Sequence, residues 1–349
     1  MTDPSGDAPG DPSAEPAPAL TRREAAQARK APEEPESTGA FPAQVRSARS
    51  EFESQVAHAR AEFEEANERI KQRTGRDLIV AILIGVSLAI VLIGSLVFVK
   101  WGFLALALAA LVSGLFEFCR ALRTAGRRVD VIPHLVVGIC VILAGYFLSS
   151  WLHWVTTIMA VAVVVVWRLI AQMAVRDGRS YGDVLADVMV AGFVQLYVPF
   201  LASLCVVLLR QERGEWWVLA FIAIVIAADT GAYASGLAFG KHPMAPLISP
   251  KKTWEGFAGA GLAALVAGLL LGLFMLGIPW WAGLITGVVI LVAATTGDLA
   301  ESMIKRDLGI KDMSSWIPGH GGVLDRLDSV LPSGLAALIL YYLLSPLAV

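Results

Sequence analysis

Apolar runs long enough to cross about 30 Å of hydrocarbon at 1.5 Å per residue recur nine times after Asp77. They fall near residues 78–99, 102–118, 132–149, 151–167, 184–209, 216–239, 257–276, 280–299 and 330–347, and each predicts a transmembrane helix. The third and fourth runs abut at residues 149–151, which predicts a tight helical hairpin there. Trp151, Trp154, Trp216, Trp217, Trp280 and Trp281 stand near the starts of runs, where amphipathic rings anchor at a membrane interface. Ahead of Asp77 the pattern changes. Phe52, Val56, Ala59, Phe63, Ala66 and Ile70 alternate spacings of four and three with charges between them. Residues 45–76 therefore predict a cytoplasmic helix, either amphipathic on a surface or paired as a short coiled coil. Residues 1–44, rich in Pro, Ala, Glu, Asp and Gly, bury too little apolar surface to offset ordering entropy and predict a disordered cytoplasmic tail. The expected fold is all-α, a polytopic integral membrane protein of about nine helices over residues 77–349. Neither an internal repeat nor a pair of broken helices of the transporter kind stands out.

Composition sharpens this division. The 349 residues are 56% hydrophobic and 17% charged, with a mean hydropathy of +0.65, and 26 of the 58 charged residues precede residue 78. The body is lipid-soluble. A net charge of −2 argues against a nucleic-acid partner, and the polar start, with no short apolar segment, predicts no cleavable secretory signal. Cys119, Cys140 and Cys205 lie in apolar runs without metal-ligand spacing and predict packing roles. Lys and Arg gather in alternate connections. Arg69, Lys71, Arg73 and Arg76 precede the first helix; Arg120, Arg123, Arg127 and Arg128 follow the second; Arg176 and Arg179 follow the fourth; Lys241, Lys251 and Lys252 follow the sixth; Lys305, Arg306, Lys311 and Arg326 follow the eighth. The other connections hold Lys100, Arg210 and Arg213. The expectation is a multi-pass protein of the inner (plasma) membrane with its N-terminus in the cytoplasm and its C-terminus outside.

The chemistry gathers in the last third. Asp298, Glu301, Ser302 and Lys305 are spaced i, i+3, i+4 and i+7, on one helix face. Asp298 lies inside a membrane-length run, where an ionised side chain costs roughly 2.5–3.5 kcal/mol unless paired, hydrated or metal-bound. Asp229 stands deeper, about ten residues or roughly 15 Å from the inner end of its helix, beside Gly231, Ala232, Ala234, Ser235 and Gly236, which offer a surface for close helix packing. Asp183 and Asp187 recur at i, i+4 near the inner end of the fifth run and are read as interface residues or as supports behind the site. Two connections add Ser249, Lys251, Lys252, Thr253 and Glu255 in one, and Lys305, Arg306, Lys311, His320, Gly321, Gly322, Asp325, Arg326 and Asp328 in the other. Glycines let backbone amides approach an anion, cations bind phosphates and carboxylates bind the accompanying metal. Singly, each feature has an ordinary structural explanation; together they describe a site for several phosphates and a divalent ion beside lipid.

The stretch Ser302-x-Ile304-Lys305-Arg306-x4-Lys311-Asp312-x-Ser314-x2-Ile317-Pro318-x-His320-Gly321-Gly322-Val323-x-Asp325-Arg326-Leu327-Asp328 resembles the signature of the phosphatidate cytidylyltransferases, also called CDP-diacylglycerol synthases. Asp229-Thr230-Gly231-Ala232-Tyr233, Ser249 to Gly256, and Gly297-Asp298-Leu299-x-Glu301-Ser302 extend the resemblance, which covers residue 77 to the end of the chain and nothing before it.

The resemblance implies transfer of CMP from CTP to phosphatidic acid at the lipid bilayer, giving CDP-diacylglycerol and pyrophosphate, with Mg²⁺ as cofactor and room for a second metal ion. It implies catalytic roles for Asp298, Asp325, Lys305, Arg306 and His320. Metal would fall to Asp298 and Asp325, with Asp229 and Asp328 beside them. Substrate would be bound by Ser249, Lys251, Lys252, Thr253, Glu255, Ser302, Lys311, Gly321, Gly322 and Arg326. A homodimer is compatible with such a helical body. Three other readings remain open: a CTP-using enzyme acting on another lipid phosphate or a polyprenol, a cation-coupled transporter with Asp229 at its midplane, and a membrane-anchored scaffold.

Overall fold

The computed structural model describes residues 54–55, 58, 78–174, 178–314, 316 and 321–348. The chain divides into two compact units, Met1–Ala66 and Asn67–Val349. Ser54, Gln55 and His58 of the first are helical; the expected tail over 1–44 and the rest of the heptad segment over 45–76 lie outside the described residues.

The second unit is a helical membrane body. Its helices are α1 Leu78–Phe98, α2 Lys100–Thr124, α3 Val131–Phe147, α4 Ser150–Ala174, α5 Tyr181–Arg210, α6 Gly214–Phe239, α7 Trp254–Leu276, α8 Trp280–Asp307 and α9 Val330–Leu344. Seven helical segments are long and apolar enough to span a bilayer, and two shorter apolar ones, Gly85–Phe98 within α1 and α3, bring the described total to the expected nine. The predicted hairpin is present: α3 ends at Phe147 and α4 begins at Ser150. Many large apolar side chains are exposed, among them Ile90, Trp151, Met173 and Phe274, as expected of a surface solvated by lipid tails.

The structure departs from the hydropathy pattern at the polar ends of helices. α2 runs on to Thr124, α4 to Ala174 and α8 to Asp307, each past the end of its apolar run. Backbone hydrogen bonding does not stop where hydrocarbon stops, so these extensions carry Arg123 and Arg168 on rigid helix instead of loop, and keep Glu301, Ser302 and Lys305 on the helix face expected of them. A π-turn at Leu196–Phe200 surrounds Pro199, which has no amide hydrogen for the regular ladder, and divides α5.

One packed cluster joins α6, the second half of α5, α7, α8 and α9 around Phe221, Ile224 and Ile290; another joins α2, α3 and the first half of α5 around Leu115, Phe118 and Val198, and takes in Met313 and Leu324. The small residues near Asp229 serve the packing expected of them. A Cβ on Gly231 would come within 2.6 Å of the Gly259 carbonyl of α7, so α6 and α7 approach backbone to backbone. Among the described residues the one sheet is a short antiparallel hairpin, β1 Pro243–Ala245 and β2 Ser249–Thr253, pairing Pro243 with Thr253 and Ala245 with Ser249.

Candidate active site

The hairpin covers a cavity of about 270 Å³ between α6, α7 and α8. Asp229 and Tyr233 line it from α6, Lys251, Lys252 and Thr253 from the hairpin, and Asp298 from α8. Several local bonds hold the hairpin there. Thr253 caps α7, its hydroxyl accepting from the Gly256 amide at 3.1 Å. Glu255 reaches back to accept from the amides of Lys241 and His242, each at 3.2 Å, and lies 2.5 Å from His242 Nδ1. Arg306 Nε donates to the Ile248 carbonyl at 3.1 Å, tying the turn to the end of α8. Lys252 is thereby delivered into an ion pair with Asp298, whose other oxygen lies 3.4 Å from the Ser302 hydroxyl. Asp229 is open to the cavity and within electrostatic reach of Asp298, Asp328, Lys252 and Arg326. The two acids placed in oil by the sequence thus share one pocket with two lysines, which offsets the desolvation that each would otherwise suffer.

A second group of carboxylates organises the connection after α8. Asp325 accepts from the Gly322 amide at 2.8 Å, the Met313 amide at 3.0 Å and the Lys305 ammonium at 3.0 Å. Lys305 also stands 3.3 Å from Glu301, whose carboxylate is fully buried beside that of Asp328. Lys305 is therefore the compensating charge for two acids at once. Asp328 is buried and accepts from the Ser329 amide at 2.6 Å. Gly321 sits at φ +82°, a left-handed turn, and a Cβ on Gly322 would come within 2.6 Å of Glu117 Oε2.

Glu117 of α2 is the residue that sequence reasoning missed. Only 1% exposed, it accepts from the Ser314 hydroxyl at 2.6 Å, the Val323 amide at 3.0 Å and the Leu324 amide at 2.9 Å. It fastens the signature segment to α2 from about two hundred residues away in sequence. The signal was present: Glu117 is an acid inside the apolar run at 102–118, the same anomaly that singled out Asp298.

The expected site residues separate into groups. Asp229, Lys251, Lys252, Thr253 and Asp298 meet at the cavity, with Ser302 beside Asp298. Lys305, Gly321, Gly322, Asp325 and Asp328 belong to the loop framework, and Glu255 and Arg306 hold the hairpin. Ser249 begins β2, and Lys311 is exposed on the loop; neither lines the cavity. Arg326 faces a different cavity of about 350 Å³, almost wholly apolar, walled by Leu88, Leu92, Phe103 and Leu331. His320 lies outside the described residues.

No group of three or more His, Cys, Asp or Glu among the described residues is arranged to enclose a metal. Mg²⁺ does not require one, since it is usually held by one or two carboxylates together with substrate phosphates and water. Asp229 and Asp298, on facing walls of a cavity also lined by lysines, fit that donor set.

A family model described as the cytidylyltransferase family matches residues 79–344. A phosphatidate cytidylyltransferase of Mycobacterium bovis is 41% identical over 285 residues, covering 78% of this chain and 90% of its own length. One of Mycobacterium leprae is 38% identical over 281 residues, covering 76% and 88%. A more distant protein of the same name, from Haemophilus influenzae, is 46% identical over 145 residues, covering 38% and 50%.

Proposed function

The chain belongs to the cytidylyltransferase family, and we infer that it transfers CMP from CTP to phosphatidic acid, forming CDP-diacylglycerol and pyrophosphate in phospholipid biosynthesis. The observation that carries this reading is the convergence of Asp229, Asp298, Lys251 and Lys252 on one cavity within a membrane-spanning body.

The chemistry needs few protein groups. A phosphate monoester is already a nucleophile near neutral pH, so no activated serine or cysteine is called for. One oxygen of phosphatidate forms a bond to the α-phosphorus of CTP, the bond from that phosphorus to the bridging oxygen of the β-phosphate breaks, and pyrophosphate leaves with the electron pair. The chief obstacle is repulsion between two polyanions. Lys251 and Lys252 neutralise the triphosphate, and Lys252 exchanges its contact with Asp298 for phosphate when nucleotide enters. Asp298 and Asp229 are then the carboxylates that hold Mg²⁺, whose contribution when bound is to screen the phosphates and the leaving pyrophosphate. Asp325 has its acceptor sites met by two amides and by Lys305 of α8, which supports a role in fixing the loop against α8 and placing Asp328 near the reacting groups. The apolar cavity that ends at Arg326 suits the acyl chains of phosphatidate, with the guanidinium on its phosphate. The excess of Lys and Arg in the connections at this end of the bundle supports a cytoplasmic active site in an inner membrane.

The test is to incubate the purified chain with CTP labelled at the α-phosphate, phosphatidate and Mg²⁺. Label should enter the organic phase with equimolar release of pyrophosphate, and chelation should abolish both. A chain that releases no lipid-borne label would refute the reaction; full turnover in excess chelator would refute only the metal.

A further inference from the structure

A second polar cavity, of about 450 Å³, lies where α2 ends, and shares no lining residue with the hairpin cavity. Five arginines reach it: Arg123, Arg127 and Arg128 from the end of α2 and the following turn, Arg168 from α4, and Arg179 from the segment before α5. Asp187, fully buried on α5, fixes the arrangement by accepting from the Arg128 amide at 3.2 Å and from the Arg179 guanidinium, which also donates to the Gly126 carbonyl at 2.6 Å. Asp130 on the rim accepts from the Trp167 indole at 3.2 Å.

Arg168 sets this cluster apart from ordinary positive-inside anchors. Such anchors extend their charged heads into water. Arg168 instead is 5% exposed on the cavity wall, and its buried Nε has no hydrogen-bond partner among the described residues. Its two terminal nitrogens stand 3.7 Å from Asp130 and 3.8 Å from Asp187, and one donates to Gln172 at 2.6 Å. Among the described residues, Asp183 is a further nearby acid, and it is engaged in capping α5 through Ser180. Arg123 and Arg127 line the same void as Arg168, whose buried Nε leaves a donor that an anion would satisfy. The planar fork of arginine matches phosphate oxygens in particular.

We propose that the cavity between the end of α2, α4 and the start of α5 is a phosphate-binding site separate from the nucleotide cavity, with Arg123, Arg127 and Arg168 as its ligands. The shared chemistry is a phosphate anion, supplied by the headgroup of an anionic phospholipid or by free phosphate. α2 presents Arg123 to this site and, fewer than two turns earlier, Glu117 to the signature loop, so the ligand would sit on the helix that holds the active-site framework.

The full chain in detergent, released into native mass spectrometry with phosphatidylglycerol or phosphatidylcholine, tests the site, with inorganic phosphate as competitor. The double variant Arg123→Gln, Arg127→Gln should lower retention of phosphatidylglycerol about tenfold, equivalent to about 1.4 kcal/mol. Lys251→Gln in the nucleotide cavity should leave it unchanged, and phosphatidylcholine should be held weakly by all. Retention that inorganic phosphate cannot displace identifies the lipid headgroup as the source; phosphate bound by the wild type and lost in the double variant, with no lipid retained, identifies the free anion. Arg127→Gln alone, with the CTP-induced rise in melting temperature as the check on folding, serves if the double variant does not fold. Equal retention by wild type and either arginine variant, loss on Lys251→Gln alone, or no binding of either probe would overturn the proposal.

Discussion

The hairpin cavity and the loop framework after α8 are built from the same residue types, yet they use their carboxylates in opposite ways. In the cavity, Asp229 and Asp298 face open space, and the contact Asp298 makes with Lys252 joins two part-exposed charged side chains. In the framework, Glu117 and Asp325 are each held by backbone amides, two apiece, with a hydroxyl or an ammonium completing the set. A carboxylate with free lone pairs can exchange partners when substrate arrives, whereas one saturated by amides fixes the path of the chain. The comparison divides the signature into a part that meets substrate and a part that holds the first part still.

Substitution at the two kinds of acid should separate them most sharply. Asp298→Asn is expected to lower turnover about a hundredfold or more while the melting temperature stays near that of the wild type, because it removes an electrostatic partner of the reaction and no structural amide bond. A melting temperature that collapses along with turnover would place Asp298 in the framework instead. Glu117→Ala should do the reverse, stranding two amides and a hydroxyl at a cost of about 3 kcal/mol, since each buried donor left unpaired costs about 1–3 kcal/mol. Thermal melting in detergent reads this directly, and Glu117→Gln, which keeps an acceptor, should recover part of the loss.

Smaller effects sharpen the boundary. Gly231→Leu forces α6 away from the Gly259 carbonyl, and overpacking of this kind costs about 1–3 kcal/mol. It should raise the KM for CTP as well, because the helix that moves carries Asp229; an unchanged KM would mean that α6 does not form a wall of the nucleotide site. Thr253→Ala removes the cap of α7 for about 1 kcal/mol and loosens the hairpin, so KM should rise while kcat changes little. A fall in kcat with KM intact would count against the hairpin as a binding element.

Much of this was legible from residue order. The nine apolar runs became nine helices because hydrocarbon leaves the backbone few alternatives, and the small residues around Asp229 became a helix contact for the same reason. The antiparallel hairpin was not expected, since Pro243 to Thr253 carries neither strand alternation nor a two-residue turn signal. Ser249 and Lys311 fall within the matched motifs but not on the cavity wall, because a motif records which residues travel together and not which way each side chain points.

The sequence by itself determined the membrane body, its helices and the acids that require compensation, because hydropathy and the desolvation of charge are properties of residues wherever they fold. Only the tertiary structure decided which partner compensates each charge: Lys252 for Asp298, Lys305 for Glu301 and Asp325, and backbone amides for Glu117. Those pairings join segments from separate helices, and hydrogen bonds and ion pairs act over a few ångströms of space, a distance that no spacing along the chain specifies.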